Sequence, residues 1–297
     1  MVQTEKPPVS TDFTQRLTES NPRLKTVLDV SHDFLSREAI NGLTISQVVE
    51  KANQLTHKVA ETLRPEGVVL REVFPGIVNA LGHSLSGEGG RVVMLRHGGQ
   101  QQDLETGSLK GSSQKIRMMQ HEHNRKDSLT DQSLAEAAGM AVVFKALQEA
   151  SGKKIVVKSS INTRAAQVAA LLAEIAECEI RYDSRLDCVD YPDNLKDEAI
   201  DTLLGPTNKG GLVWEKETVN RVVGDGTFER ITGDVQQIVG EGLRGGQLVI
   251  NVTHTQQTNA ADVMAGRSPS RLAEMGMSVF MQTPQTSFLF QNGIFQG

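Results

Sequence analysis

The eight residues Arg91-Val92-Val93-Met94-Leu95-Arg96-His97-Gly98 constrain this chain more than any other stretch. An apolar run of β-branched and aliphatic side chains, bounded by turn residues, is the pattern of a buried strand. The run delivers an arginine and a histidine side by side, and Gly98-Gly99 then turns the backbone. In an α/β sheet the carboxyl end of a strand is where ligands bind, because loops and helix N-termini converge there with unpaired backbone N–H groups. A later stretch repeats the arrangement. Gly245-Gly246 leads into Gln247-Leu248-Val249-Ile250-Asn251-Val252-Thr253-His254, a second buried run that ends in histidine.

The residues between these runs set the fold class. Ser128-Leu129-Thr130-Asp131 supplies a helix N-cap; Leu134, Ala137, Ala138, Ala141, Val142 and Leu147 make the apolar face behind it, and Gly152 ends it. Lys153 to Ser160 is a short β run that delivers small polar residues at its end. Ile161 to Ala176 is helical, with Arg164 in its first turn, and Thr227 to Leu243 is helical again. Strand, helix, strand, helix at this spacing is a βαβ unit and requires a parallel sheet. The expected fold is therefore α/β, a mostly parallel sheet sandwiched by helices and preceded by an N-terminal helical extension.

That extension is read from the first third of the chain. Residues 1–10, with Pro7-Pro8, read as a frayed tail. From Thr11 to about Leu63, apolar residues recur at three- and four-residue steps, Thr44 caps the longest helix, and Pro65-Glu66-Gly67 stops it. Leu70 to Leu85 reads as one more helix, or as a strand followed by a helix. Ser86-Gly87-Glu88-Gly89-Gly90 is a flexible joint, dividing the chain into residues 1–88, the helical extension, and 89–297, the α/β domain. The extension either packs on the main domain or forms a partner-binding hairpin through which a homo-oligomer assembles. At the other end, Ser287 to Phe295 is expected to form a small edge hairpin with its turn at Asn292-Gly293.

Composition excludes several partners. The net charge of −5 is spread along the chain, so no basic field exists to hold a nucleic acid. The two cysteines, Cys178 and Cys188, support neither a disulfide framework nor a zinc ribbon. The stretch MVQTEKPPVSTDF is polar and lacks an apolar h-region, and no run of 18 apolar residues occurs, so a cytoplasmic protein without a membrane partner is expected. His121-Glu122-His123, in the polar stretch from Gln100 to Asp127, has no evident third ligand; neither metal nor cofactor is expected. That stretch either selects substrate and excludes water or is a solvated loop.

The strand ends thus offer Arg96-His97, Arg164 and His254. Two guanidinium forks and two imidazoles at one sheet edge suit a tetrahedral dianion. Over about residues 91–265 the chain resembles the histidine phosphatase superfamily, the phosphoglycerate mutase-like proteins. Its opening Leu-Arg-His-Gly is matched by Leu95, Arg96, His97 and Gly98. Its helix beginning Leu-Thr is matched by Leu129, Thr130, Ser133, Glu136 and Ala137. Its Ser-Pro-Leu-x-Arg-Ala-x-Gln-Thr-Ala segment is met by Ser160, Ile161, Asn162, Arg164, Ala165, Gln167 and Ala169, and its late Val-x-His by Val252, Thr253 and His254.

The resemblance implies that His97 attacks phosphorus and becomes phosphohistidine, while Arg96, Arg164 and His254 hold the phosphoryl oxygens. Where many members carry a glutamate as general acid, this chain has Cys188, and where others carry an aspartate after the second histidine it has Thr255. Asp187 and Asp190 flank the first of these positions and are the candidate acids. The implied function is a metal-independent phosphatase acting on a phosphorylated small molecule or phosphoprotein. The alternatives are a weak or inactive phosphate-binding regulatory protein, or a phosphomutase.

Overall fold

In a computed structural model, residues 11–38, 40–64, 72–73, 78, 82, 89–98, 128–188, 214–266, 275–281, 291–293 and 295–296 are described. The helices are α1 (Thr11–Ser20), α2 (Pro22–Arg37), α3 (Ile45–Leu63), α4 (Asp131–Ser151), α5 (Thr163–Ala176), α6 (Lys216–Val223), α7 (Thr227–Arg244) and α8 (Thr255–Met264). The strands are β1 (Glu72–Val73), β2 (Arg91–Arg96), β3 (Ile155–Ser159), β4 (Glu179–Tyr182), β5 (Leu248–Thr253), β6 (Gly276–Met281), β7 (Gln291–Gly293) and β8 (Phe295–Gln296).

Alternation along β2 divides the protein into two layers. Val93 and Leu95 join one apolar core with Ile250, Val252 and Val157, while Val92 and Met94 join another with Val249 and Phe280. Because side chains of a strand point to opposite faces in turn, each run must be covered on both sides. Helices α1 to α5 contribute to the first core, and α6, α7 and α8 to the second. The strand order is β4-β3-β5-β2-β6-β7. Pairing is parallel from β4 to β2 and antiparallel at β6 and β7, so the sheet is mostly parallel, as the sequence indicates.

Local signals fix the helices that matter to the site. At α3 the Thr44 side chain accepts from Gln47 N at 3.4 Å and Gln47 Oε1 accepts from Thr44 N at 2.8 Å, a reciprocal capping box. At α4 Thr130 Oγ1 accepts from Ser133 N at 3.1 Å, and the helix closes on Gly152 at φ 63°. The start of α4 is tied to its neighbours as well. Arg23 of α2 donates from Nε to Asp131 Oδ1 at 2.5 Å, and Gln167 of α5 accepts from Leu129 N at 2.8 Å. The early helices are thus part of what holds α4 against the sheet.

Three elements differ from expectation or were not anticipated. β4 is an edge strand whose Glu179 and Arg181 are exposed, so it lacks the apolar run that marks β2 and β5. β6 continues the sheet beside β2, its Met277, Val279 and Phe280 divided between the two cores. Asn292-Gly293 is not a hairpin turn. It lies within β7, paired with Met277 and Gly276, and β8 pairs with β1. A type I′ turn signal gave way here to the open edge of β6, which needed a partner for its backbone groups.

α3 crosses α4 at close range. A Cβ at Gly139 would meet the Thr56 hydroxyl and come within 2.9 Å of the Ala52 carbonyl. Gly139→Leu is therefore expected to force the helices apart and destabilise the fold by about 1–3 kcal/mol. Urea unfolding with an unchanged m-value and a lower midpoint is the predicted result; an unaltered midpoint would refute the close contact.

Candidate phosphoryl-binding site

The register of three adjacent strands assembles the site. Leu95 aligns with Val252, and Val252 with Ser159, so the residues just beyond the strand ends stand side by side. His97 N donates to Thr253 O at 3.0 Å and Ser160 N to Val252 O at 3.1 Å, carrying the ladder past the last strand residues. His97 and His254 consequently face each other with ring centroids 4.8 Å apart and planes at 62°. Both are almost fully buried, at 4% and 2% exposure. The sequence could place each residue at a strand end; only the insertion of β5 between β2 and β3 makes them neighbours.

The contacts of His97 fix its tautomer. Its Nδ1 lies 2.7 Å from the Gly98 carbonyl oxygen, and a carbonyl can only accept, so Nδ1 carries the proton. Burial, then the charges of Arg164, His254 and Arg96, hold the ring's pKa well below its ordinary value, outweighing the Gly98 hydrogen bond. His254 is lowered likewise by burial, Arg164 and Arg96. Near neutral pH His97 is thus a neutral imidazole with an unprotonated Nε2. Gly98 is held close to α4: a Cβ there would fall 2.5 Å from Ser133 Cβ, so the turn that presents its carbonyl has no room for a side chain.

Two helix N-termini add to the positive field. Asn162, the N-cap of α5, makes no side-chain cap hydrogen bond, and neither does His254, the N-cap of α8. The first N–H groups of both helices are therefore not satisfied by their caps, and the partial positive charge at each helix start favours an anion. Arg164 lies in the first turn of α5. Two guanidiniums, two imidazoles and two helix starts without a side-chain cap thus share the carboxyl edge of a parallel sheet, an arrangement whose charge favours an anion.

Asp187 also reaches this edge. Its Oδ1 accepts from Ser160 Oγ at 2.8 Å and from Ile161 N at 3.0 Å, and its carbonyl accepts from Gln257 Nε2 at 2.5 Å. The short 3₁₀ turn before it, Ser184–Leu186, is anchored by Arg185, which donates to Glu241 Oε1 at 2.9 Å and to Asp183 Oδ2 at 2.6 Å. The hydrogen bond from Arg185 holds the Glu241 carboxyl at about 2. Cys188 Sγ lies 3.9 Å from Gln256 Oε1. Asp190, Gly99, Gln100, His121 and His123 lie outside the described residues. Ser160 belongs to the sequence motif, but a small polar residue at a strand end carries no signal of a role there.

No family model and no curated protein sequence matches the chain. Solved structures do. The mycobacterial glucosyl-3-phosphoglycerate phosphatase is 15% identical with a TM-score of 0.46, the match covering 69% of this chain and 97% of that one. Phosphoglycerate mutase from Bacillus anthracis is 12% identical with a TM-score of 0.48, over 71% and 96% of the two chains. Phosphoserine phosphatase from Entamoeba histolytica is 14% identical with a TM-score of 0.42, over 70% and 96%. Among the described residues no helix is long and apolar enough to cross a membrane.

The buried histidines make stability depend on pH. Above the ordinary histidine pKa of about 6.5 they are neutral in both folded and unfolded states. Below it the unfolded chain takes up protons that the fold refuses, so stability falls with pH until the folded pKa is reached. The expected slope is about 1.4 kcal/mol per pH unit for each histidine. Denaturant midpoints from pH 7.5 to 5 should show this decline, with a shallower slope in His254→Gln. An equal slope in that variant would mean that His254 is not buried neutral.

Proposed function

We propose that this chain is a metal-independent phosphatase that acts through a phosphohistidine at His97. The observation that carries the reading is the tautomer of His97. Its Nδ1–H is spent on Gly98 O at 2.7 Å, so the nucleophilic Nε2 is left inside a pocket of positive charge.

In the first step the Nε2 lone pair attacks phosphorus, the phosphorus–oxygen bond to the leaving group breaks, and that oxygen leaves with the bonding electrons. Arg96, Arg164 and His254 hold the phosphoryl oxygens and offset the charge that spreads over them in flight. Water then attacks the phosphohistidine, the nitrogen–phosphorus bond breaks, and inorganic phosphate leaves with Nε2 restored. The substrate is a phosphorylated small molecule or a phosphoprotein. The setting that fits this chemistry is the cytoplasm, with no membrane or nucleic-acid partner.

A second reading is a phosphate-binding regulatory protein with little turnover. It is favoured by Cys188 and Thr255, which stand where the resembling family carries its proton donors. Asp190 and Asp187 are the alternative donors.

A burst experiment with p-nitrophenyl phosphate on metal-free protein separates the readings. The phosphatase should show an acid-labile, alkali-stable phosphoryl adduct and turnover insensitive to EDTA, and His97→Ala should lose both adduct and turnover. Turnover that survives His97→Ala would sink the mechanism. Phosphate binding without adduct or turnover would move the assignment to the regulatory reading.

A further inference from the structure

The Ser160 hydroxyl sits at a junction that the phosphatase chemistry as described does not use. Its Oγ lies 3.1 Å from His254 Nε2, 2.8 Å from Asp187 Oδ1 and 2.7 Å from Asn162 Oδ1, and it accepts from Asn162 N at 3.1 Å. Ser160 and His254 are buried, at 0% and 2% exposure. A hydroxyl has one proton to give and two lone pairs with which to accept. The proton is shared between the two oxygens in reach, Asn162 Oδ1 and Asp187 Oδ1, of which the carboxylate is the stronger acceptor, because a hydrogen bond to an ionised group is about twice as strong as one between neutral groups. Asp187 Oδ1 is also fixed by the Ile161 N–H at 3.0 Å.

With its proton committed to these oxygens, Ser160 can only accept from the imidazole. We infer that Ser160 and Asp187 are positioning residues for His254: in the empty pocket the chain Asp187–Ser160–His254 pins the second imidazole with its proton on Nε2, and Nδ1, unprotonated until then, meets a phosphoryl oxygen by taking up or sharing a proton as the anion binds. The consequence is a fixed ring plane opposite His97, at the 4.8 Å centroid spacing. The other end of the chain is anchored independently. Gln257 Nε2 holds the Asp187 carbonyl, and Arg185 ties the preceding turn to Glu241 of α7. Asp187 acts here as a hydrogen-bond acceptor. An outer partner that sets the orientation and tautomer of an active imidazole is a known way to tune it. Its effect on turnover rests on the phosphatase reading; the tautomer itself does not.

The test uses the full chain labelled with nitrogen-15 at histidine, with long-range proton–nitrogen correlation at pH 7.5 and the His254 signals assigned by their loss in His254→Gln. The expected result in the unaltered protein is a single neutral His254 tautomer protonated at Nε2; a ring protonated at Nδ1, or an exchanging mixture, overturns the inference. In Ser160→Ala the single tautomer should give way to a mixture. The kcat for p-nitrophenyl phosphate should fall roughly 10- to 100-fold with KM little changed, and Ser160→Thr should recover most of it. Unchanged tautomer and unchanged kcat in folded Ser160→Ala also overturn it. Should that variant not fold, the His254 tautomer alone is read in Asp187→Ala, because Asp187 is also a candidate proton donor and its kcat does not separate the two roles. If the protein proves to have no phosphatase activity, the tautomer arm still decides.

Discussion

β5 runs between β2 and β3 in parallel register, and the backbone hydrogen bonds just past its end set the positions of everything reactive. His97 N is held to Thr253 O and Ser160 N to Val252 O. Neighbouring strands are about 4.8 Å apart, so residues at equal height on adjacent strands touch without further adjustment. The two histidines and Ser160 come together for this reason. Side-chain contacts then refine a geometry that the sheet has already chosen.

The chemistry depends on burying positive charge near groups that remain neutral. Burial lowers the pKa of both imidazoles, and the charges of Arg164 and Arg96 lower it further, so neutral rings stand amid cationic guanidiniums until an anion arrives. The two helix starts left without a side-chain cap act in the same sense. In many helices a Ser, Thr, Asp or Asn side chain satisfies those N–H groups, as Thr44 and Thr130 do at α3 and α4. At α5 the Asn162 side chain is within hydrogen-bond distance of Ser160 instead. Away from the site the same chain follows the ordinary capping rules.

Much of this was legible in the residues. Val92 to Leu95 and Leu248 to Val252 are apolar enough to mark buried strands without ambiguity, and Thr44, Thr130 and Gly152 announce helix ends through capping chemistry that is local. The strand order was not legible, because it is set by crossover connections and by which edges need partners. β4 escaped notice because half of an edge strand is exposed and its pattern is mixed. Asn292-Gly293 misled because a turn signal describes only its own few residues, whereas the edge of β6 is a demand from elsewhere in the fold. At the site, His97, His254, Arg96 and Arg164 could be named from the sequence. The contact of Ser160 with both His254 and Asp187 could not, since it joins residues 94 and 27 positions apart.

The proposed chemistry requires Nε2 of His97 to face an anion pocket lined by Arg96, Arg164 and His254. A crystal structure of the metal-free protein with orthovanadate tests it most directly. The account predicts vanadium at bonding distance from His97 Nε2, in line with a leaving-group oxygen, with its equatorial oxygens on the two arginines and His254. Vanadate bound elsewhere, or reaching His97 through Nδ1 with the Gly98 hydrogen bond broken, would contradict it.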